Sequence, residues 1–373
     1  MRIALTVGSF NQLGGIERVT VQLALGYRAL GHDVTVFATD WDPRYEDRFT
    51  FERVDAPTRP AWLRTLRLPA ATSRLLAGKR FDFVHGQGTS TLTCDLLTFH
   101  SVHAAWLDVS VQESGAWSPR GIAKRLYPFH RAAIAMERRQ VATHRGMIHA
   151  CSAEVRDEVI RYYGADPARV VAVPWGIELD VFQPDGEARQ RTREAWGVTD
   201  RDRVLLLVAN EFNRKGLGPT LEAMAALKRA ELKLMVAGRG DPAPFQARID
   251  QLGLRGQVHF LGHVEVAPAY QAADLFVMPS TYEGWGLVIG EALAAGLPVV
   301  TSKFPGSLAM VAPGENGLLI DDPRDADALA YAIEAALTPS VHTRLVANAR
   351  PSVLKYGWPE VCRQLLALGA SKA

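Results

Sequence analysis

Two acidic residues, Glu283 and Glu291, stand with seven residues between them in the segment Tyr-Glu-Gly-Trp-Gly-Leu-Val-Ile-Gly-Glu. The segment follows the apolar run Leu275 to Met278 and leads into an alanine-rich stretch, which predicts a strand, a loop and the start of a helix. Glu283 is then expected in the loop and Glu291 further along the helix. The first N–H groups of such a helix have no partner within it and can bind a diphosphate. In this sequence the N–H groups at the start of the predicted helix belong to Gly286, Leu287 and Val288.

These residues need elements to position them, and apolar runs alternate with helical patterns along the whole chain. A first series of predicted strands comprises Ile3–Val7, Val34–Ala38, Phe81–His85, Leu96–Phe99 and Met147–Ala150. A second series comprises Val204–Val208, Leu232–Ala237, Val258–Leu261, Leu275–Met278 and Pro298–Thr301. Each series is typical of a parallel sheet with crossover helices. A chain of 373 residues is also too long for one ordinary core.

The predicted organisation is therefore α/β, with two Rossmann-like domains. A predicted strand at about residues 171–173 ends in Pro-Trp-Gly, which favours a domain boundary near there. Residues 1–171 form the predicted N-terminal domain, which residues 356–373 join as a last helix. Residues 172–355 form the predicted C-terminal domain.

In this context the two glutamates resemble the signature of glycosyltransferase family 4, and within it the lipopolysaccharide core glucosyltransferases. The resemblance implies a retaining enzyme of GT-B fold, with its domains facing across a cleft and its C-terminal helix crossing back to the first domain. It implies that residues 1–171 form an acceptor-binding domain and that residues 172–355 form a nucleotide-sugar-binding domain. It implies that Glu283 binds hydroxyls of the donor sugar and that Glu291 binds the nucleotide ribose. The backbone of Gly286, Leu287 and Val288 would bind the diphosphate.

A basic pair, Arg214 and Lys215, follows the predicted strand Val204–Val208 and precedes a helix. The resemblance implies that these cations grip the diphosphate and offset its growing charge, which adds them to Glu283 as catalytic candidates. The family's usual Gly-Arg at the start of this turn is Ala209-Asn210 here, so the Arg role falls to Arg214 or is absent. The alternative is a basic pair that only flanks a helix.

Other loop residues complete the predicted site. Gly14 and Gly15 resemble the family's N-terminal glycine loop, although a plain tight turn is an equal alternative. His100, in Thr-Phe-His-Ser, resembles a histidine beside the transferred sugar and is a further catalytic candidate; a structural histidine is the alternative. Arg18 and His103 are candidate acceptor ligands. Further donor candidates lie in loops where the family's backbone reads the base, or near the phosphates: Gly238, Gly262, His263 and the Pro305-Gly306 pair.

The predicted reaction moves a hexose, glucose by resemblance, from a UDP-linked donor to a glycan or glycolipid of the bacterial envelope such as lipopolysaccharide core. No separate cofactor and no metal are expected, because the Asp-x-Asp spacings at 40–42, 200–202 and 325–327 lie away from the donor motifs. Two alternatives remain: a UDP-sugar 2-epimerase of the same fold and a non-catalytic nucleotide- or glycan-binding protein. A dinucleotide oxidoreductase is disfavoured because no Gly-x-Gly-x-x-Gly follows the first strand.

Charge and cysteine content bear on partners and location. The net charge of +2 gives no indication of nucleic-acid binding. Basic residues are interleaved with apolar ones in residues 57–80 and 120–145, which predicts contact with an anionic membrane surface. The alternative is ordinary helices with solvated basic faces. Three scattered cysteines and the brief apolar run at the start favour a cytoplasmic protein, peripheral on the inner face of the membrane.

Overall fold

A computed structural model describes residues 1–370 of the chain. Contacts divide it into two compact units. The N-terminal unit comprises Met1–Gly176 and the segment from Trp358 onward, and the C-terminal unit comprises Ile177–Gly357. The first crossing between units thus falls after Gly176, where the sequence placed it after residue 171, and the second falls after Gly357 rather than residue 355.

The N-terminal unit is built on a parallel sheet whose strands lie in the order β3-β2-β1-β4-β5-β6-β7. The central strand is fully buried at Ile3, Ala4 and Leu5, as expected for a sheet covered on both faces. The strands in the described part of this unit are β1 (Arg2–Thr6), β2 (Asp33–Ala38), β3 (Thr50–Arg53), β4 (Phe83–Gln87), β5 (Leu96–Phe99), β6 (Met147–Ala150) and β7 (Val170–Ala172). The helices that connect them are α1 (Gly15–Ala29), α2 (Ala61–Ala77), α3 (His103–Glu113), α4 (Pro119–Leu126), α5 (Pro128–Thr143) and α6 (Ala153–Tyr163).

The C-terminal unit has a second parallel sheet, in the order β10-β9-β8-β11-β12-β13. Its strands are β8 (Arg203–Val208), β9 (Leu232–Ala237), β10 (Val258–Gly262), β11 (Leu275–Met278), β12 (Val299–Ser302) and β13 (Gly317–Ile320). Its helices are α7 (Gly186–Trp196), α8 (Leu217–Leu227), α9 (Ala243–Gln251), α10 (Val266–Ala272), α11 (Leu287–Ala294), α12 (Pro305–Met310), α13 (Ala326–Leu337) and α14 (Pro339–Val353). Side chains such as Leu207, Leu234 and Ile333 form one buried core between sheet and helices.

The last helix, α15 (Trp358–Ala370), packs against α1 and the β4–β6 part of the N-terminal sheet. Gly26 of α1 allows this packing, because a Cβ there would lie 2.4 Å from the Cys362 sulfur. The predicted return of the last helix to the N-terminal domain is confirmed. Residues 371–373 of the predicted segment 356–373 lie outside the described residues.

The predicted strands differ from the observed ones mainly in the N-terminal unit. The fourth strand runs Phe83–Gln87 rather than Phe81–His85. Asp82 lies before the strand, where its carboxylate accepts a hydrogen bond from the Arg2 backbone N–H at 2.7 Å. Gly86 interrupts the strand pattern, so the last residues of the strand were not predicted. Among residues 1–370, no helix is long and apolar enough to cross a membrane.

Candidate active site

The predicted donor residues lie at the carboxyl edge of the C-terminal sheet. Strands β8 and β11 are parallel neighbours, so the loops that follow them meet at the same edge. Arg214 and Lys215 come from the loop after β8 and Glu283 comes from the loop after β11. Arg214 Nη1 lies 3.1 Å from Glu283 Oε2, and Lys215 Nζ contacts the same oxygen. The structure therefore brings three of the four predicted catalytic residues into one ion-pair cluster.

The turn that carries the two cations has a strict local geometry. Lys215 N donates to the Glu211 carbonyl at 3.0 Å, and Gly216 then caps α8 with a left-handed φ of 81°. A Cβ at Gly216 would lie 2.3 Å from the Pro279 carbonyl oxygen, at the end of β11. Glycine therefore lets the turn after β8 pack directly against the end of β11.

The charges in the cluster are only partly shielded from solvent by the protein. Lys215 has 10% of its side chain exposed, Glu283 20% and Arg214 23%. Burial alone would raise the pKa of Glu283, but Lys215 and Arg214 outweigh it and hold the pKa below its ordinary value. Burial lowers the pKa of Lys215, and the Glu283 carboxylate opposes that shift. Glu283 is thus held as a carboxylate, able to accept hydrogen bonds from sugar hydroxyls.

The segment after Glu283 turns into α11. Gly286 is the N-cap with φ 77°, a backbone conformation that L side chains rarely adopt, and Leu287 and Val288 begin the helix. The N–H groups of a first helical turn and the helix dipole favour a phosphate here. Glu291 lies in the helix, is 3% exposed, and accepts a hydrogen bond from the Tyr270 hydroxyl at 2.9 Å. Tyr270 was not predicted from the sequence, because nothing in the local pattern links α10 to α11.

The loop between Glu283 and α11 packs closely on α12. Trp285 is 3% exposed, and its ring packs edge-on against Tyr356 at 5.6 Å between centroids. A Cβ at Gly306 would lie 1.5 Å from the Trp285 carbonyl oxygen. Gly306 is thus required for the close approach of α12 to residues 282–286, the predicted donor loop.

The other predicted donor positions follow the neighbouring strands. Gly238 comes after β9 with φ 136°, and its N–H donates to the Gly262 carbonyl at the end of β10 at 2.8 Å. A Cβ at Gly238 would lie 1.8 Å from the Ala209 carbonyl oxygen. His263 is exposed after β10. These residues extend the same sheet edge, but none contacts Glu283 in the described structure.

In the N-terminal unit the predicted residues are distributed over three places. Gly14 caps α1, with Gly15 first in the helix and Arg18 in its first turn. His100 follows β5, and its Nε2 lies 3.0 Å from the side-chain oxygen of Gln87. His103 begins α3, where its Nε2 lies 3.0 Å from His130 Nδ1. His103 therefore bonds to α5 rather than joining His100.

Two further residues, which the sequence pattern does not indicate, lie beside His100. Gln87 ends β4 and is 2% exposed, and Trp175 follows β7 and is also 2% exposed. The Trp175 ring stacks on the His100 ring at 5.1 Å between centroids. The signal available for Gln87 is a polar residue at the end of a strand. The predicted strand ends at His85, two residues before it, so this signal was not recognised.

The Asp-x-Asp acids have local structural roles. Asp42 accepts a hydrogen bond from Arg44 N at 3.1 Å, and Asp202 accepts one from Thr199 N at 2.7 Å. Asp325 caps α13 by accepting from Ala328 N at 2.9 Å. Within residues 1–370 no group of three or more His, Cys, Asp or Glu side chains has the arrangement of a metal site.

Two Rossmann-like units, with a cluster of Arg, Lys and Glu at the carboxyl edge of the second sheet, are typical of a GT-B glycosyltransferase. Residues 13–181 match the profile of Glycosyltransferase Family 4, and residues 188–351 match that of Glycosyl transferases group 1. The chain therefore consists of a Glycosyltransferase Family 4 domain followed by a Glycosyl transferases group 1 domain. The predicted family and fold are thereby confirmed.

Individual relatives agree with this assignment. Lipopolysaccharide glucosyltransferase WaaG of Escherichia coli (strain K12) is 27% identical over 91% of this chain and 90% of its own length. D-inositol 3-phosphate glycosyltransferase 1 of Catenulispora acidiphila is 35% identical over 59% of this chain and 56% of its own length. The crystal structure of WaaG, a glycosyltransferase involved in lipopolysaccharide biosynthesis, matches with a TM-score of 0.84 at 25% identity, covering 99% of this chain and 100% of that one.

Proposed function

We propose that this glycosyltransferase moves glucose from UDP-glucose, with retention of the anomeric configuration, to a glycolipid of the bacterial envelope such as lipopolysaccharide core. The observation that carries the proposal is the cluster of Arg214, Lys215 and Glu283 beside the start of α11. It offers two cations for a diphosphate and one carboxylate for sugar hydroxyls at the same sheet edge. The choice of glucose and of this acceptor rests on the similarity to WaaG over most of both chains.

In the proposed reaction the acceptor oxygen forms a bond to the anomeric carbon while the bond from that carbon to the phosphate oxygen breaks. The bonding electron pair leaves with UDP, and the acceptor proton passes to the leaving phosphate on the same face of the sugar. Arg214 and Lys215 donate hydrogen bonds to the diphosphate and stabilise the charge that develops on it. Glu283 orients the sugar through its hydroxyls, which keeps the anomeric carbon in place for attack.

The proposed donor site works without a metal ion or a separate cofactor. A bound diphosphate needs positive charge, and the chain supplies it through Arg214, Lys215 and the N-terminal end of α11. When the donor binds, the two cations would be shared between the diphosphate and Glu283. The same ion pairs that hold Glu283 in place in this structure then help to position the substrate.

The proposed acceptor is a lipid-linked glycan, and residues 117–127 supply a surface for the membrane that carries it. Trp117 is 84% exposed, Leu126 62% and Tyr127 55%. Arg120 and Arg125 of α4 lie between these residues and are exposed. Exposed apolar side chains next to basic ones favour an anionic lipid surface.

The test of the function is nucleoside-diphosphate release from a panel of UDP-, GDP- and ADP-sugars, with and without a bacterial envelope-lipid extract. We expect release from UDP-glucose that rises with the extract and persists in EDTA, with NMR of the product showing the anomer of the donor. Release from a different donor, loss of activity in EDTA, or an inverted product would each overturn the corresponding part of the proposal. An isomerised but unhydrolysed UDP-sugar would identify a 2-epimerase instead.

A further inference from the structure

His100 is held on three sides by its own unit. The Trp175 ring stacks on the His100 imidazole, and the backbone carbonyl oxygen of His100 accepts a hydrogen bond from the Cys151 sulfur at 3.2 Å. On the ring edge, Nε2 lies 3.0 Å from the side-chain oxygen of Gln87. The other ring nitrogen, Nδ1, has no hydrogen-bond partner among residues 1–370.

The Trp175 ring that stacks on His100 is in turn held by buried groups of the same unit. Trp175 also packs against the His149 ring, with centroids 4.8 Å apart. His149 Nε2 lies 2.8 Å from the Val173 carbonyl oxygen, and its Nδ1 lies 3.0 Å from the hydroxyl of Thr98. This arrangement fixes the plane of the Trp175 ring and, through stacking, the plane of the His100 ring.

Stacking fixes a plane but not the edge that the imidazole presents. A histidine ring can turn over within the same plane, which exchanges the positions of its nitrogen and carbon atoms. The hydrogen bond to Gln87 distinguishes the two orientations, because a nitrogen must face the amide. Burial also lowers the pKa of His100 to about 3, so the ring is neutral and carries a single N–H at neutral pH.

Gln87 has an unsatisfied atom of its own. Its side chain is 2% exposed, and its amide nitrogen is buried with no hydrogen-bond partner among the described residues. Strand β4 places Gln87 between β1, whose loop carries Gly14, and β5, which leads to His100. A buried donor without a protein partner at such a position is typically satisfied by a ligand or an ordered water.

We propose that Gln87 is a positioning residue whose side-chain oxygen accepts the Nε2–H of His100, leaving Nδ1 to accept a hydrogen bond from a substrate hydroxyl. Contact between His100 and a sugar rests on the proposed function, but the Gln87–His100 bond does not. The orphaned amide of Gln87 supplies a donor to the same ligand or to a water bound beside it. The pair together then presents one acceptor and one donor to the hydroxyl groups of a sugar.

The test is the tautomer of His100, read from ¹⁵N chemical shifts of histidine-labelled protein and assigned with His100→Asn. We expect the Nε2–H form in the wild type and in Gln87→Glu, which keeps an accepting oxygen. Gln87→Met is isosteric but has no acceptor, so a mixture of tautomers is expected. The control Thr72→Val removes another buried polar group of the same unit, whose hydroxyl donates to the Leu68 carbonyl, and should leave His100 unchanged.

A wild-type Nδ1–H tautomer, or an unchanged tautomer in Gln87→Met, would overturn the proposal. If Gln87→Met does not fold, Gln87→Asn replaces it. The shorter side-chain amide cannot reach Nε2 of His100, so the same mixture of tautomers is expected. The consequence for catalysis is measured separately, as a fall in kcat of roughly tenfold in Gln87→Met, the scale of one hydrogen bond. A wild type that transfers no sugar contradicts the proposed function but leaves the tautomer result valid.

Discussion

Arg214 and Glu283 lie on loops from two adjacent parallel strands, and Arg214 Nη1 is 3.1 Å from Glu283 Oε2. The same guanidinium donates to the Tyr282 carbonyl at 2.7 Å, so Arg214 holds both the backbone and the acidic side chain of the donor loop. On its other side Arg214 pairs with Glu211, whose side chain is 63% exposed. Arg214 therefore links the loop after β8 to the loop that carries Glu283 through a network of charges.

Glu291 is predicted to affect donor binding more than turnover. We expect Glu291→Gln to raise the KM for the nucleotide sugar by about tenfold, the scale of one charged hydrogen bond, with kcat within about threefold of the wild type. Tyr270→Phe removes only the hydroxyl that orients this carboxylate and should have a smaller effect in the same direction. Steady-state kinetics with varied donor measure both variants. An unchanged KM in Glu291→Gln would argue against a ribose ligand.

Gly306 is predicted to be intolerant of any side chain. Because a Cβ at this position would lie 1.5 Å from the Trp285 carbonyl oxygen, Gly306→Ala should displace the donor loop or α12. A loss of roughly 2–3 kcal/mol is expected from such overpacking, seen as a fall in Tm of about 5 °C or more. The matched control is Gly218→Ala in α8, where a Cβ meets nothing within 4 Å. Equal melting temperatures for the two variants would contradict the packing described.

Glu137 is predicted to make the stability of the N-terminal unit depend on pH. Burial raises its pKa from 4.5 to about 7, although hydrogen bonds from Tyr163 and the His103 backbone oppose the shift. The folded state therefore binds this proton more tightly than the unfolded chain, so the contribution to stability is full below about pH 4.5 and is lost as the pH rises to 7. Thermal melts should show the Tm of Glu137→Gln rising relative to the wild type between pH 5 and 8.

The control for this experiment is Glu187→Gln, whose carboxylate is 89% exposed and should show no such trend. A constant difference in Tm between Glu137→Gln and wild type across the pH range would show that Glu137 is ionised in both states.

Residues 117–127 are predicted to bind anionic vesicles. We expect co-sedimentation with phosphatidylglycerol-containing vesicles, weaker binding at high salt, and little binding to phosphatidylcholine alone. Replacing Trp117 and Leu126 together by Ser should lower partitioning roughly tenfold, since both lose apolar contact with the lipid. Tyr331→Ser, which changes a residue of the other unit that is 79% exposed, is the control. Equal binding of wild type and double variant would locate the membrane contact elsewhere.

The sequence was sufficient to predict the fold and the elements that carry the donor residues. In the C-terminal unit the strands β8, β9 and β11 lie within a residue of their predicted bounds, because long apolar runs there end at clear turns. Parallel strands place their carboxyl ends together, so the loops holding Lys215 and Glu283 could be assigned to one edge. Strands β3 and β13 were not predicted, since Thr50–Arg53 and Gly317–Ile320 are short and carry no distinctive pattern.

Contacts between distant residues could not be predicted from local patterns. Nothing near Arg214 in the sequence indicates that it pairs with Glu283, and nothing near Tyr270 indicates a bond to Glu291. The contacts of His100 with Gln87 and Trp175 could not be predicted for the same reason. Gln87 lies between two glycines that interrupt the pattern at the end of its strand, and Trp175 lies in a segment that indicates the end of a strand and a domain boundary. Such contacts depend on strand order and register, which composition and periodicity do not fix.

The most direct test of the central claim is transfer of radiolabelled glucose from UDP-glucose to an envelope-lipid extract by wild type, Glu283→Gln and Glu211→Gln. The carboxylates of both glutamates pair with Arg214, but only that of Glu283 also pairs with the Lys215 ammonium. We predict a rate loss of at least about 100-fold in Glu283→Gln and near wild-type transfer in Glu211→Gln, with UDP binding retained in both. Transfer by Glu283→Gln at the wild-type rate would contradict the assignment of this cluster as the sugar-transfer site.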